Sequence, residues 1–528
     1  MALRKLSDLS TIRQFGRILI KGNPPPMIGR CLVATPIGSV QQARRTIHTH
    51  DLGGSRTSAR ASEKFNFNAS EDGPRIGAVF EQTSSRSVAV ELIDGRRFEF
   101  PLIWLRDNCQ CRECFHPGSY SRILNWENID VDSIRLKNCS KNSAGDTLKL
   151  LWIDDHISEF PLDWLVARNF SEDNCSDYLN EWYRPKARFW GQRDFPVVLK
   201  NFEYSDVISD DGALREWIES LIRFGIVMIK NAPLDDEVAR KLANRIGFIR
   251  RTHYGDEYII KAKEETSNVA YLAAPLQMHT DLPYYEYLPG CNLLHYIVQT
   301  ESAGGQNLIV DAMYVAERLR QEHPDDFRLL SETLVNWCDV GTDEGRQFHS
   351  IYRAPVICLG RDGSIERILQ SIPQRDSFFN IPMKRVEPWY RALAKFIQMI
   401  YQESVQFKTA SGDILAFSNV RMLHGRKGYT DTDANTRHVV GAFMDWDEIY
   451  SRWRVLKGFQ MKLQHPLAFS NRRFNSSAFT SQNCVIMLLI CPCHHSKLRD
   501  CQQAIAAAMR SPTSEGGRPG GQHAGTVK

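Results

Sequence analysis

Apolar residues first group into short runs between polar turns. Residues 87–93 and 97–100 are two such runs joined through Asp94-Gly95, and they predict a β-hairpin, because that dipeptide tolerates the positive φ angles of a tight turn. Residues 147–153 read as another strand. The period then changes. Leu214, Trp217, Ile218, Leu221 and Ile222 recur three or four apart, so residues 212–223 predict an amphipathic helix, followed by a buried strand at 225–229. A second helix is predicted from about Pro388 to Ser404, burying Trp389, Leu393, Phe396, Ile397 and Ile400, with proline in its first turn. Short strand candidates fill the rest, at residues 258–260, 268–272, 293–298, 308–310, 356–359, 414–417 and 439–444. Many short strands and few helices predict a mainly β fold, a barrel or sandwich with flanking helices packed outside it.

Metal-ligating residues stand out against this background. His279 and Asp281 are separated by one residue, and on a strand positions i and i+2 share a face, so an imidazole and a carboxylate can grip one ion. His424, in Leu423-His424-Gly425-Arg426, supplies a third ligand. Two histidines and one carboxylate form the donor set of non-haem Fe(II) oxygenases. His295 lies on the apolar run 293–298 and reads as a core histidine or a support for a ligand, while His349 and His438 have no independent case.

Cys109, Cys111 and Cys114 fall within six residues in a polar, loop-like segment. Three thiolates lack one ligand for a closed tetrahedral zinc site, whose role would be structural. His156 is the preferred fourth ligand, and His116 lies nearer in sequence. The 13 cysteines are clustered rather than spread, which favours a reduced compartment and metal chemistry over disulfides.

Length and charge add limits. A chain of 528 residues allows two or three domains. Its 66 basic and 62 acidic residues are nearly balanced, so no nucleic-acid partner is expected. No stretch reaches the roughly 18 apolar residues of a membrane span, so no membrane partner is expected either. Residues 1–50 are Arg-rich with the single acid Asp8 and read as a mitochondrial presequence. Residues 51–85 read as linker, 86–180 as a zinc-binding domain, 188–460 as the main domain, and 466–528 as a disordered tail, although Cys491-Pro492-Cys493-His494-His495 lies within it.

His279-Thr280-Asp281, Leu293-Leu294-His295, Ala303-Gly304-Gly305, Leu423-His424-Gly425-Arg426 and Arg437-His438 resemble the γ-butyrobetaine and trimethyllysine dioxygenases, within the taurine dioxygenase-like 2-oxoglutarate oxygenases. Trp104-Leu105-Arg106-Asp107-Asn108-Cys109 and Asp155-His156 resemble the zinc-binding N-terminal domain of the same enzymes. The resemblance implies a double-stranded β-helix, or jelly-roll, with Fe(II) on His279, Asp281 and His424. It also implies Arg437 on the far carboxylate of the co-substrate 2-oxoglutarate, with Asn268 and Asn307 as polar contacts nearby. Ascorbate is the expected reductant, zinc is structural, and a homodimer is kept as an option.

For the substrate the resemblance implies a small molecule with a trimethylammonium group held among Tyr254, Tyr258, Tyr271 and Phe443. γ-Butyrobetaine giving carnitine is the first expectation. Trimethyllysine hydroxylation is the alternative, and a non-catalytic binding protein retaining the fold is the reading from another class. The expected location is the mitochondrial matrix, with the cytoplasm as alternative. Three departures from the family pattern are visible: Phe443 where tyrosine is usual, Asn307 where Ser or Thr is usual, and Leu369-Gln370-Ser371-Ile372-Pro373 in place of an asparagine-rich segment.

Overall fold

The computed structural model describes residues 73–458, except 262–271, 302, 344 and 431–436. The presequence, most of the linker and the tail therefore lie outside the described residues, as do Asn268 and Tyr271.

The described residues begin with two small antiparallel sheets. Ile76–Gln82, Ser87–Leu92 and Arg97–Pro101 form the first, with Gly95 at a φ of 87° in the expected Asp-Gly turn. Leu136–Lys141, Thr147–Trp152 and Ile157–Pro161 form the second. Val88, Val90 and Phe100 of one pack with Leu148, Leu150 and Phe160 of the other. Each fully buried residue of this size contributes about 1.5–3 kcal/mol of apolar transfer.

Two larger sheets follow. In the six-stranded sheet the order is Glu257–Ile260, His438–Met444, Cys291–Val298, Ile414–Ser418, Ile226–Lys230 and Asn201–Glu203. In the four-stranded sheet it is Leu276–His279, Met422–Arg426, Asn307–Asp311 and Val405–Phe407. Side-chain alternation sorts the core. On Ile414–Ser418, Leu415 and Phe417 turn inward to meet Ile309 and Met422 of the smaller sheet. Ile414 and Ala416 turn outward, where they pack with Trp217 and Ile218 of the helix Asp211–Phe224, Leu242 of Val238–Ile246 and Trp453 of Trp446–Leu456. The smaller sheet is covered likewise: Leu308, Val310 and Leu423 meet Leu319, Leu330 and Phe396 of the helices Ala312–Glu322, Pro324–Glu332 and Met383–Glu403.

The content is thus mixed α/β, with more helix than the expectation of a mainly β chain allowed. The first predicted helix holds: Asp210 caps it by accepting from the Ala213 N–H at 2.6 Å, and Gly225 ends it at a φ of 73°. The second runs Met383–Glu403, so Pro388 sits inside the helix rather than in its first turn and leaves the Lys384 carbonyl without its usual donor. A hairpin of two nine-residue strands, Val335–Asp343 and Arg346–Ala354, has no counterpart among the predicted strands. Among the described residues no helix is long and apolar enough to cross a membrane.

Candidate active site

The strand Leu276–His279 pairs with Met422–Arg426 so that His279 and His424 stand directly opposite one another, their ring centroids 4.3 Å apart. Asp281 is not on that strand. The chain leaves the sheet after His279, and Leu282 adopts a φ of 55°, so the i, i+2 expectation holds for reach but not for strand geometry. What keeps Asp281 in place is Asn419. Its Oδ1 accepts from the Asp281 N–H at 3.0 Å, and its Nδ2 donates to the Asp281 and Pro289 carbonyls at 3.0 and 3.1 Å. The Asp281 carboxylate then lies 3.1 Å from His279 Nε2 and 3.6 Å from His424 Nε2, and one ligand atom from each of the three residues lies within 4.8 Å of the others.

Hydrogen bonds settle which atoms face the cluster. His279 Nδ1 donates to the Gln277 carbonyl at 2.8 Å, leaving Nε2 as the lone-pair nitrogen. Asn292 Nδ2 donates to Asp281 Oδ2 at 2.5 Å, and Asn292 Oδ1 accepts from the Tyr258 hydroxyl at 2.8 Å. Burial pushes the His424 imidazole down to about 4 despite the Asp281 charge beside it. For His279 burial also lowers the value, but hydrogen bonding and attraction to Asp281 outweigh it and the net shift is upward. Burial raises Asp281, yet the neighbouring His424 and His279 carry it below the usual carboxylate range. An ionised carboxylate against two imidazoles in a half-enclosed site suits a divalent ion of the Fe(II) type.

The cluster opens into a cavity of about 290 Å³. One part of its lining carries the guanidinium groups of Arg426 and Arg437, which are only 5% and 3% exposed. Burial, then the charge of Arg437, lowers Arg426 to about 10, and Arg426 donates to the Leu272 and Ala274 carbonyls. Two cations forced together in a buried wall leave a strong preference for an anion between them. Tyr296 lies beneath Arg437, 5.4 Å from ring centroid to guanidinium carbon, and its hydroxyl donates to Asn307 at 2.7 Å. Asn307 itself lines the cavity and also holds the tyrosine beneath this wall. Another part of the lining is aromatic: Tyr258 and Phe443 stack with centroids 5.0 Å apart, and Tyr254 is 6.2 Å from Tyr258. Ser371, Ile372, Pro373 and Gln374 line the cavity as well, so the segment that departs from the family pattern faces it.

The cysteine cluster assembles separately. Cys109, Cys111 and Cys114 place their sulfurs 3.2, 3.6 and 3.6 Å from His156 Nε2. His116 is on the surface, bonded to Ser119 at 2.8 Å, which leaves His156 as the fourth member of the cluster. Its partner Cys109 and the Arg106 guanidinium, 3.2 Å away, hold the Cys114 thiol down to about 5, whereas Cys109 is pushed up. The donor set and its enclosure fit zinc.

His295 is completely buried on the outer face of its sheet, and burial lowers it to about 4. It faces Pro233, Asp235 and Asp236 of the segment that leads into the helix Val238–Ile246. His438 meets Asp236 at 3.3 Å. Sequence reasoning missed Asn292, Asn419 and Arg426. Only Arg426 carried a signal, as a charge closing the apolar motif that contains His424.

Two sequence families match the chain, "Gamma-butyrobetaine hydroxylase-like, N-terminal" over residues 80–166 and "Taurine catabolism dioxygenase TauD, TfdA family" over residues 183–443. Gamma-butyrobetaine dioxygenase of Homo sapiens is 34% identical over 360 residues, covering 68% of this chain and 91% of the relative. The enzyme of that name from Pseudomonas sp. (strain AK-1) is 32% identical over 73% of this chain and 97% of its own length. Mitochondrial trimethyllysine dioxygenase of Bos taurus is 26% identical over 68% and 82%. The buried His–Asp–His cluster, the arginine wall beside it and these relatives lead to one assignment: the chain belongs to the γ-butyrobetaine hydroxylase-like members of the TauD family and is a 2-oxoglutarate-dependent dioxygenase.

Proposed function

We propose that this dioxygenase hydroxylates a small trimethylammonium compound, with γ-butyrobetaine as substrate and carnitine as product. The observation that carries this reading is the ring set: Tyr254, Tyr258 and Phe443 line the same cavity as His279, Asp281 and His424. A quaternary ammonium group cannot lose its charge on burial, so π faces and excluded water are what offset its lost hydration. The relatives named as gamma-butyrobetaine dioxygenases are 34% and 32% identical to this chain, against 26% for the bovine trimethyllysine enzyme.

In this reading His279, Asp281 and His424 hold Fe(II), and Arg437, with Arg426 beside it, clamps the far carboxylate of 2-oxoglutarate. Asn307 supports that wall through Tyr296, and Asn268 and Tyr271 belong to the same proposed site. Bound iron, with 2-oxoglutarate and O₂ as co-substrates and ascorbate to keep it reduced, would supply the oxidative step: one oxygen atom of O₂ goes into succinate as CO₂ leaves, and the other replaces the C–H bond of the substrate by a hydroxyl. The chain's own contribution is to hold the reacting carbon beside the cluster and to exclude water. The proposal extends to a double-stranded β-helix at 188–460, a zinc domain at 86–180 with Cys109, Cys111, Cys114 and His156 as ligands, and targeting to mitochondria by residues 1–50.

The test is mass spectrometry of products from a panel of betaines and methylated lysines incubated with Fe(II), 2-oxoglutarate and ascorbate. Carnitine should be the dominant product. Hydroxylated trimethyllysine alone would move the assignment to a trimethyllysine dioxygenase, and the absence of any hydroxylated trimethylammonium product would remove the reading.

A further inference from the structure

We propose that Asn292 is a positioning residue that couples the ring set to the metal cluster through a relay running from the Tyr258 hydroxyl to the Asn292 amide to the Asp281 carboxylate. The proposal rests on the reading of Asp281 as an iron ligand and Tyr258 as a substrate ring. Both links are direct, 2.8 Å from Tyr258 to Asn292 Oδ1 and 2.5 Å from Asn292 Nδ2 to Asp281 Oδ2. A side-chain amide has one accepting end and one donating end. A phenol that fills the accepting end turns the donating end towards the carboxylate. The Tyr258 hydroxyl therefore sets the orientation of the amide, and the amide fixes the plane of the Asp281 carboxylate.

The sheet is built to allow this. Tyr258 pairs with Gly441, and Asn292 lies one strand further on, in register with Phe443. The tyrosine must cross the intervening strand to reach the asparagine. It can do so because residue 441 has no side chain: a Cβ there would sit 2.1 Å from the Tyr258 Cζ. Asn292 is completely buried, and Phe443 stacks on the crossing ring at 5.0 Å. A cation that seats against Tyr258 shifts the ring, and the shift reaches Asp281 through two hydrogen bonds. Thermodynamic reciprocity then requires that metal and substrate change each other's affinity by the same factor, and the proposed relay makes that change a mutual strengthening.

Mn(II), which occupies such donor sets without turnover, is the probe, titrated calorimetrically into the full chain with its zinc retained. Asn292→Ala should weaken Mn(II) binding about tenfold, in line with the effect of removing groups that orient metal ligands. Tyr258→Phe, which removes one oxygen atom, should weaken it less, and the double variant should bind no more weakly than Asn292→Ala alone. In a second arm γ-butyrobetaine and Mn(II) are titrated in each other's presence: the mutual strengthening seen in the parent should fall to a factor of about one in Tyr258→Phe.

Parent-like Mn(II) affinity in Tyr258→Phe, or additive effects in the double variant, would overturn the relay. Should Asn292→Ala fail to fold, Asn292→Ser replaces it in the same cycle. If γ-butyrobetaine does not bind the parent protein at all, the substrate reading falls, and the Mn(II) cycle still decides the relay on its own.

Discussion

Among the described residues two clusters could hold a metal ion, and they differ in the properties that decide what a metal can do. The Cys109–Cys111–Cys114–His156 cluster offers four ligands, and its Cys109 and Cys114 are 0% and 2% exposed. A tetrahedral ion held there has no position left for another molecule. Three thiolates also overcompensate a divalent charge, and the Arg106 guanidinium 3.2 Å from Cys114 balances the excess. The His279–Asp281–His424 cluster offers three ligands, keeps 12, 19 and 14% of its side-chain surfaces exposed, and opens into a 290 Å³ cavity. One carboxylate undercompensates a divalent ion. Arg426 and Arg437, in the wall of the same cavity, favour an anion there. The first donor set is closed, and the second leaves room beside it for a further ligand.

The contrast breaks most sharply at the ligands. His279→Ala should reduce succinate release to background while leaving the melting temperature near that of the parent, because the imidazole supports the cluster rather than the core. Retained turnover would remove the assignment of His279 to the iron. The next largest effect belongs to Arg437. Replacing it with methionine removes a buried charge-assisted clamp, worth about 2–5 kcal/mol, and should raise the KM for 2-oxoglutarate by a factor of about 30 or more. An unchanged KM would move the clamp to Arg426.

Cys111→Ser tests the other half of the comparison. Loss of one thiolate from a closed zinc site should destabilise the N-terminal sheets by about 2–5 kcal/mol, while kcat per folded molecule changes by less than about twofold. Thermal unfolding with a zinc indicator present measures the first, and succinate release at low temperature measures the second. A proportionate fall in both would mean that the cysteine cluster takes part in turnover, and the division of labour would be wrong.

The sequence made some of this legible and hid the rest for physical reasons. His279, Asp281 and His424 were visible because their donor types are few and their spacing is short. The alternation along Ile414–Ser418, with Leu415 and Phe417 on one face and Ile414 and Ala416 on the other, marks a strand buried on both sides and appears as an unbroken apolar run. Pro388 misled because proline at a helix start and proline inside a helix look alike in one sequence; only packing of the preceding turn separates them. The hairpin Val335–Asp343 and Arg346–Ala354 escaped because its polar and apolar positions do not alternate cleanly. Asn419 and Asn292 gave no signal at all. Their partner Asp281 lies 138 residues from the first and 11 from the second, and a single asparagine in an apolar run carries no period. Residues that hold ligands are set by three-dimensional proximity, so they emerge only once the sheets are paired.

The smallest expected effect concerns the cavity rather than the metal, and it tests whether the aromatic wall selects charge or only shape. Phe443 is 3% exposed and stacked on Tyr258, so Phe443→Leu keeps an apolar side chain while removing a π face. One such face contributes about 0.5–2 kcal/mol to a desolvated cation, which predicts a loss of roughly 2- to 30-fold in affinity for γ-butyrobetaine. The neutral isostere in which carbon replaces the quaternary nitrogen has the same volume and no charge. Its affinity should change little in the variant, because leucine offers comparable dispersion contacts. Calorimetric titration of both ligands into parent and variant gives the four constants required. If cation and isostere lose affinity equally, Phe443 contributes volume alone, and the preference for a trimethylammonium group must come from the other rings.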